Sequence, residues 1–296
     1  MTTVLIIGPG AIGGLFAWHL QHVSTPMAFR HRPDLTLPDT LVDQGQPHTL
    51  NWRFPPEGTD FASIDLVLVT CKATQVEMAV TPLLPMLPDV SWLVCCNGLG
   101  PQQWLANQAP GRVLWGSTTE GALIDDSGRI VHTGQGETWI GPAEGDALSE
   151  RTRTLGHWLC DQAGPLVWQW DNSPADQLWL KLAINAVINP ITAVERLPNG
   201  ALAEEDWAFE VDALSDEIRA IARACDHPLP DDLAERIRAV ARATAGNHSS
   251  MRVDVEAGRP TEIEFINGFL IRMAFEADIK APKLTRWYEA VLKARS

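Results

Sequence analysis

Positive charge, cysteine and long apolar runs are all scarce in this 296-residue chain, and each shortage excludes a class of protein. The 23 basic residues are outnumbered by 37 acidic ones, and the net charge of −14 argues against nucleic acid or an anionic membrane surface as a partner. The five cysteines form no CxxC pair and no cysteine–histidine ligand spacing, so we expect no disulfide framework and no metal site. No apolar run reaches transmembrane length without a charge, so no membrane-spanning segment is expected.

The chain has room for two domains of ordinary size, each with its own core. It enters a strand at Val4 without the basic region of a signal peptide. Its cysteines lie mostly within apolar runs, as reduced packing residues do. A cytoplasmic location is therefore expected.

Lysine is the scarcer of the two strong bases. Of the 23 basic residues five are lysines, and Lys72 and Lys181 lie far from the other three, which fall near the C-terminus. A buried lysine can release its proton near neutral pH whereas arginine cannot, which makes these two candidates for chemistry. Codon bias is the alternative explanation.

A glycine-rich turn follows the first strand directly. Residues 4–7 (VLII) are typical of a strand buried on both faces of a parallel sheet. In the GxGxxG that follows, Gly8 permits the tight turn, Gly10 admits a pyrophosphate and Gly13 allows close helix packing. This context favours a dinucleotide site over a plain glycine-rich turn. The expected phosphate contacts, from the turn and the helix N-terminus, are Gly8, Gly10, Ala11, Ile12 and Gly13.

The next strand, residues 26–29, ends at Arg30-His31-Arg32. An NAD-binding fold places an acidic residue about here, on the ribose 2′-hydroxyl, so a cation favours the 2′-phosphate of NADP(H). Arg30 follows the strand directly and is the preferred contact, although Arg32 stays open. The alternative is a pair of exposed loop arginines.

Two further buried strands, residues 64–70 and 92–96, are followed by Lys72 and Asn97. Ligands of open α/β sheets bind beyond the carboxyl ends of the strands, so both residues are expected near the glycine-rich turn. Lys72 is alternatively a solvated loop residue, and Asn97 is alternatively part of an Asn-Gly turn.

These features predict an α/β protein with a Rossmann-type dinucleotide-binding domain at residues 1–171 and an all-helical domain at residues 172–296. The first domain is completed by a predicted helix at 148–162 and by strands at 113–115, 129–133, 138–140 and 166–170. The predicted helices after the central one lie at 201–224, 231–245, 247–257, 262–275 and 283–294.

The central helix, residues 176–194, is apolar on nearly every face, which indicates burial. Lys181, Asn185 and Asn189 interrupt it at i, i+4 and i+8 and therefore share one stripe. A buried ammonium is costly unless paired, so this stripe needs a partner or a ligand. The alternative is a core helix whose asparagines bond to backbone and whose lysine reaches solvent. Pro190 is predicted to kink or end the helix.

Two polar clusters follow in the helical half. Residues 261–264 (TEIE) have the form of a capping box. Glu264 is then expected to cap the helix start, and Glu262 falls in the first helical turn. Complementation of the helix dipole is the alternative task for Glu262. Residues 247–251 (NHSSM) are either a ligand-contacting cluster or an ordinary polar helix start. Glu120 has no assigned role.

The chain resembles the ketopantoate reductase (2-dehydropantoate 2-reductase) family over nearly its whole length. The matching stretches are GPGAIGG at 8–14, TCKATQ at 70–75, CNGLG at 96–100, KLAINAVINPITA at 181–193 and NHSSMRVDVEAGRPTEIEFINGF at 247–269. The resemblance implies that Lys181 is the general acid and that Glu262 orients the substrate. It also implies polar substrate contacts from Asn185, Asn247 and Ser250, and Asn189, on the same stripe, joins them as an expected contact.

The resemblance further implies that Asn97 bridges cofactor and substrate, and that Arg30 and Lys72 contact the adenosine phosphate of NADPH. The implied reaction is reduction of 2-dehydropantoate to (R)-pantoate in pantothenate and coenzyme A biosynthesis. A reductase of another 2-oxo acid and a non-catalytic NADP-binding sensor stay open, as does a homodimer.

Overall fold

A computed structural model describes residues 2–24, 26–29, 36–54 and 63–294 of the chain. It divides into two compact units, one formed by residues 1–96 and 101–175 and the other by residues 97–100 and 176–296. In the described ranges no helix has both the length and the apolar character needed to cross a membrane.

The first unit is built on a seven-stranded sheet. Its strands are β1 (Val4–Ile7), β2 (Pro26–Phe29), β5 (Leu66–Val69), β6 (Ser91–Val94), β7 (Val113–Thr118), β10 (Glu137–Pro142) and β11 (Val167–Trp170). The order across the sheet is β11-β10-β7-β6-β5-β1-β2, with β7 and β10 antiparallel and every other neighbouring pair parallel. Every residue of β1, β5 and β6 is buried, which explains their unbroken apolar sequences.

In the described part of this unit four helices connect the strands: α1 (Ala11–Leu20), α2 (Ala73–Val80), α3 (Pro101–Gln108) and α4 (Glu150–Cys160). A short 3-10 helix spans Leu84–Met86. Helix α4 starts at an N-cap serine, Ser149, whose hydroxyl accepts a hydrogen bond from the Thr152 amide at 3.2 Å.

A second, four-stranded sheet has the order β4-β3-β9-β8, formed by β3 (Thr40–Asp43), β4 (Gln46–Thr49), β8 (Gly121–Ile124) and β9 (Ile130–Gly134). It packs on α1, where a Cβ added to Gly14 would lie 2.0 Å from a methyl carbon of Ile130. The sequence predicted β9, but it did not predict the other three strands.

The second unit is helical, as predicted, so the expected fold class is confirmed. Its helices are α5 (Pro174–Glu195), α6 (Ala208–Ala224), α7 (Leu233–Ala243), α8 (Ser250–Glu256), α9 (Ile263–Glu276) and α10 (Pro282–Ala294). The expected helix over residues 201–224 is shorter: 3-10 segments at Asn199–Ala203 and Glu205–Trp207 precede α6, because Glu204 between them has extended backbone with ψ 158°.

Of the two outcomes expected at Pro190, a kink or an end of the helix, the end is wrong, since α5 continues for five more residues. Proline has no backbone N–H, so the carbonyl of Ala186, four residues earlier, loses its partner within the helix. The side-chain amide of Asn267 in α9 donates to this carbonyl at 3.1 Å. A contact from another helix therefore replaces the hydrogen bond that Pro190 removes.

The predicted capping box at residues 261–264 is also wrong. Helix α9 begins at Ile263, and Glu262, at the N-cap position, makes no capping hydrogen bond with its side chain. The carboxylate of Glu264 instead accepts hydrogen bonds from Arg272 and, at 2.6 Å, from the Tyr288 hydroxyl. Glu264 is drawn to these surface partners because it is exposed, whereas Thr261 and Glu262 are buried.

Candidate functional site

The glycine-rich turn of the first unit has the close contacts that its sequence predicts. Gly8 has φ +87°, and a Cβ there would lie 2.3 Å from the backbone nitrogen of Cys71. A Cβ on Gly13 would lie 2.3 Å from the carbonyl oxygen of Gly8. A Cβ on Gly10 would meet nothing within 4 Å, so the backbone faces open space at this point. The geometry of this turn thus requires glycine at positions 8 and 13, and Gly10 leaves room for a ligand.

Helix α1 starts at this turn without a side-chain cap and without an acidic residue in its first turn. The first amides of a helix have no partner within it, so those of Ala11, Ile12 and Gly13 point out of the helix end. Together with the positive end of the helix dipole they suit an anion such as a pyrophosphate. The residues present therefore fit the phosphates of a dinucleotide.

The neighbouring strands bring Lys72 to the same edge of the sheet. Ile7 pairs in register with Val69, and the hydroxyl of Thr70 donates to the carbonyl of Gly8 at 2.8 Å. Lys72 is the N-cap residue of α2, two residues after Thr70, and it is partly exposed. Arg30 and Arg32, the other predicted cofactor contacts, lie outside the described residues.

The second unit brings Asn97 and Glu262 together, although 165 residues separate them in the chain. The Asn97 side-chain amide donates to a Glu262 carboxylate oxygen at 3.0 Å. Beside this contact, the Leu99 amide donates to the Phe265 carbonyl at 2.9 Å. Gly98 has φ +79°, and a Cβ there would lie 2.4 Å from that same carbonyl oxygen. Residues 97–100 therefore form both a glycine turn and a contact with the start of α9.

The polar stripe of α5 has a graded exposure. Lys181 and Asn185 are partly exposed, and Asn189 is buried, with 6% of its surface accessible. In the described ranges no hydrogen bond or ion pair involves the side chains of these three residues. The stripe therefore does not consist of asparagines bonded to backbone, and its donors and acceptors remain available to a ligand.

Thr192 continues this stripe, since the eleven positions from Lys181 amount to slightly more than three full helical turns. Its hydroxyl donates to the Ile188 carbonyl at 2.7 Å and lies 2.8 Å from the Ser249 hydroxyl. Ser249 in turn caps α8 by accepting a hydrogen bond from the Arg252 amide at 3.1 Å. Ser250, the first residue of α8, is exposed beside this junction, and Asn247 is exposed two residues before Ser249.

The sequence prediction missed Thr192, Ser249 and Asn267. The first could have been found, since helical spacing places it on the stripe. The other two depend on contacts between distant elements.

Glu120, which had no role assigned from the sequence, contacts two partners among the described residues of the first unit. Its carboxylate accepts a hydrogen bond from the Gly136 amide at 2.9 Å and lies 2.8 Å from Nε2 of His132. The other ring nitrogen of His132 lies 2.8 Å from a carboxylate oxygen of Asp43 in β3. Glu120 and His132, with buried side chains, and the partly exposed Asp43 therefore form a cluster that joins the β7–β8 turn to the four-stranded sheet.

Two family models match the chain. The one described as ketopantoate reductase PanE/ApbA matches residues 4–145, and the one for its C-terminal part matches residues 175–295. Together they cover most of the sequence. The chain belongs to the ketopantoate reductase family. This confirms the family that the sequence motifs indicated.

Individual relatives agree with this assignment. A 2-dehydropantoate 2-reductase of Vibrio cholerae is 34% identical over 294 residues, which are 97% of this chain and 96% of that protein. The crystal structure of 2-dehydropantoate 2-reductase from Methylococcus capsulatus is 25% identical, with a TM-score of 0.79 and coverage of 98% and 96%. A dimeric ketopantoate reductase from Staphylococcus aureus is 19% identical, with a TM-score of 0.79 and coverage of 99% and 98%, and shows the shared fold.

Proposed function

We propose that this protein reduces 2-dehydropantoate to (R)-pantoate and uses NADPH as the hydride donor. The observation that carries the proposal is the 3.0 Å hydrogen bond between Asn97 and Glu262. Both were selected as site residues from the sequence, and they come from distant parts of the chain. Membership of the ketopantoate reductase family over both halves supports the same reaction.

The cofactor site is assigned to the first unit. We assign the pyrophosphate to the turn formed by Gly8, Gly10 and Gly13 and to the first amides of α1, at Ala11 and Ile12. Lys72 and Arg30 supply cations for the adenosine phosphate, and Asn97 contacts cofactor and substrate. When bound, NADPH supplies the hydride.

The chemistry in the second unit is assigned to Lys181. A ketone that accepts a hydride develops negative charge on its oxygen, and a positioned ammonium stabilises this charge and then donates the proton. Glu262 orients the substrate by accepting a hydrogen bond from it. Neutral donors suit a hydroxyl or a carboxylate on the substrate, because they fix its orientation without a further charge to desolvate. This role is assigned to Asn185, Asn189, Asn247 and Ser250.

The decisive test measures the proposed reaction in the wild-type protein and in Lys181→Ala. Loss of NADPH absorbance is measured after addition of 2-dehydropantoate. The variant should lose roughly 10²–10⁴ in kcat, the usual contribution of general acid catalysis. Its affinity for NADPH should be nearly unchanged, because the glycine-rich turn belongs to the other unit. Lys293→Ala is the matched control, since that lysine side chain is 80% exposed on α10. Near-normal turnover of Lys181→Ala would remove Lys181 from the mechanism.

A panel of 2-oxo acids separates the proposed substrate from other members of its class. A non-catalytic NADP-binding sensor would bind NADPH without consuming it on addition of any of them. That alternative gives no reason for a partly exposed lysine and asparagine on an otherwise apolar helix. We also propose a homodimer, for which sedimentation of the purified protein is the test.

A further inference from the structure

Pro190 opens a gap in the hydrogen bonding of α5, and one buried side chain fills it. The Ala186 carbonyl would accept from residue 190 in an ordinary helix, but proline has no N–H to donate. Asn267 in α9 donates its side-chain amide to this carbonyl at 3.1 Å. Asn267 is fully buried, and α5 keeps its helical conformation on both sides of Pro190.

The surroundings of Asn267 indicate that position 267 is polar because its side chain must donate an N–H. The amide oxygen of Asn267 is buried and has no hydrogen-bond partner among the described residues. An unsatisfied buried oxygen is destabilising, so an apolar side chain of similar size would fill this place at less cost. The contact with Ala186 is what offsets that cost, because without Asn267 a buried backbone carbonyl would lack a partner.

We propose that Asn267 is a positioning residue for the reaction, and this rests on the function proposed above. Ala186 directly follows Asn185, and Pro190 directly follows Asn189, so the bond holds the turn of α5 that carries both asparagines. Lys181 projects from the same stripe, a little more than one turn before Ala186. Asn267 itself lies on α9, whose N-cap residue is Glu262. One hydrogen bond thus sets the helix of the proposed acid against the helix that starts at the orienting carboxylate.

The missing backbone hydrogen bond and the Asn267 contact that replaces it can be tested together, because Pro190→Ala restores an N–H donor for the Ala186 carbonyl. Asn267→Leu removes the donor and should lower the thermal unfolding midpoint by roughly 3–8 °C, the shift expected for an unpaired buried carbonyl. In a Pro190→Ala background the same substitution should lower it by less than half as much. Equal losses in both backgrounds would show that the bond does not compensate for the proline.

Kinetics separate a positioning role from a purely structural one. Well below the unfolding midpoint, N267L should lower kcat by roughly ten- to hundredfold, the range that small misplacements of reacting groups cause. The KM for NADPH should not change, since the phosphate-binding turn lies in the other unit. The double variant with P190A should recover most of the lost kcat. An unchanged kcat in N267L, or a loss that P190A does not relieve, would overturn the proposal.

The two readouts also distinguish this proposal from the function on which it rests. If the wild-type protein consumes no NADPH with 2-dehydropantoate, the proposed function fails, and the kinetic role of Asn267 falls with it. The unfolding measurements would still show whether Asn267 compensates for Pro190. Should N267L fold only together with P190A, that rescue supports the compensation, and failure to fold in both backgrounds contradicts it.

Discussion

His19, near the end of α1, should make the stability of the first unit depend on pH. It is fully buried, its Nδ1 accepts a hydrogen bond from the Leu166 amide at 3.2 Å, and its ring stacks on Trp168. Burial, with a smaller contribution from His22, lowers the pKa of His19 from 6.5 to about 4. The folded protein therefore holds this ring neutral under conditions in which the unfolded chain protonates it.

The sign and size of the effect follow from this lowered pKa. Between pH 6.5 and pH 4 the unfolded state binds a proton that folded His19 excludes, so acid favours unfolding. The contribution of His19 is complete above its unfolded pKa and is lost as the pH falls toward 4. The loss amounts to about 2 kcal/mol at pH ~5 and about 3 kcal/mol at pH ~4.

Urea unfolding at about pH 7.5 and pH 5 measures this loss, with tryptophan fluorescence as the signal because Trp168 stacks on His19. His19→Gln keeps a hydrogen-bond acceptor but cannot be protonated. In this variant the free energy of unfolding should differ between the two pH values by about 2 kcal/mol less than it does in the wild type. His22→Gln changes the exposed histidine of the pair and should retain most of the difference. The reasoning is refuted if H19Q loses as much stability at low pH as the wild type.

Two further predictions concern the first unit. Arg30→Ala should weaken the binding of NADPH much more than that of NADH in fluorescence titrations, and an equal loss for both would place the 2′-phosphate elsewhere. His132→Ala removes one hydrogen-bond partner of the buried Glu120 carboxylate, the Gly136 amide remaining, and should cost roughly 1–3 kcal/mol in denaturant unfolding. The exposed ion pair of Arg129 with Asp125, in the turn between β8 and β9, is the control: Arg129→Ala should cost much less than His132→Ala, and equal losses would contradict the argument.

The main sheet could be predicted because its strands are buried on both faces. Such strands have continuous apolar sequences, as in VLII of β1 and LVLV of β5, and these stand out from any flanking turn. Strand β4, with the sequence QPHT, is largely exposed and has no apolar pattern at all. Its pairing with β3 comes from tertiary structure, and for that reason the four-stranded sheet was mostly missed.

In the candidate site, too, features with a local sequence pattern could be predicted, whereas contacts between distant elements could not. Residues on one local element keep a fixed spacing, so the glycines of the turn and the stripe of Lys181, Asn185 and Asn189 could be selected from the sequence. The contacts of Asn97 with Glu262 and of Thr192 with Ser249 join elements far apart in the chain. No local rule yields such pairings, and for Asn97 and Glu262 the family resemblance supplied the roles while the structure supplied the contact.

Two local expectations in the second unit are wrong, an end of α5 at Pro190 and a capping box at residues 261–264, and they have a common physical cause. The rules for Pro190 and for the capping box assume that an unpaired backbone group must find its partner nearby in the sequence. Buried polar groups require a partner, but the requirement does not say from where it comes. At Pro190 the partner is Asn267 of another helix, and Glu264 is held by Arg272 and Tyr288 instead of by its own helix end. The compensation proposed above joins α5 to a side chain 81 residues from Ala186, so the substitutions at 190 and 267 are expected to act together.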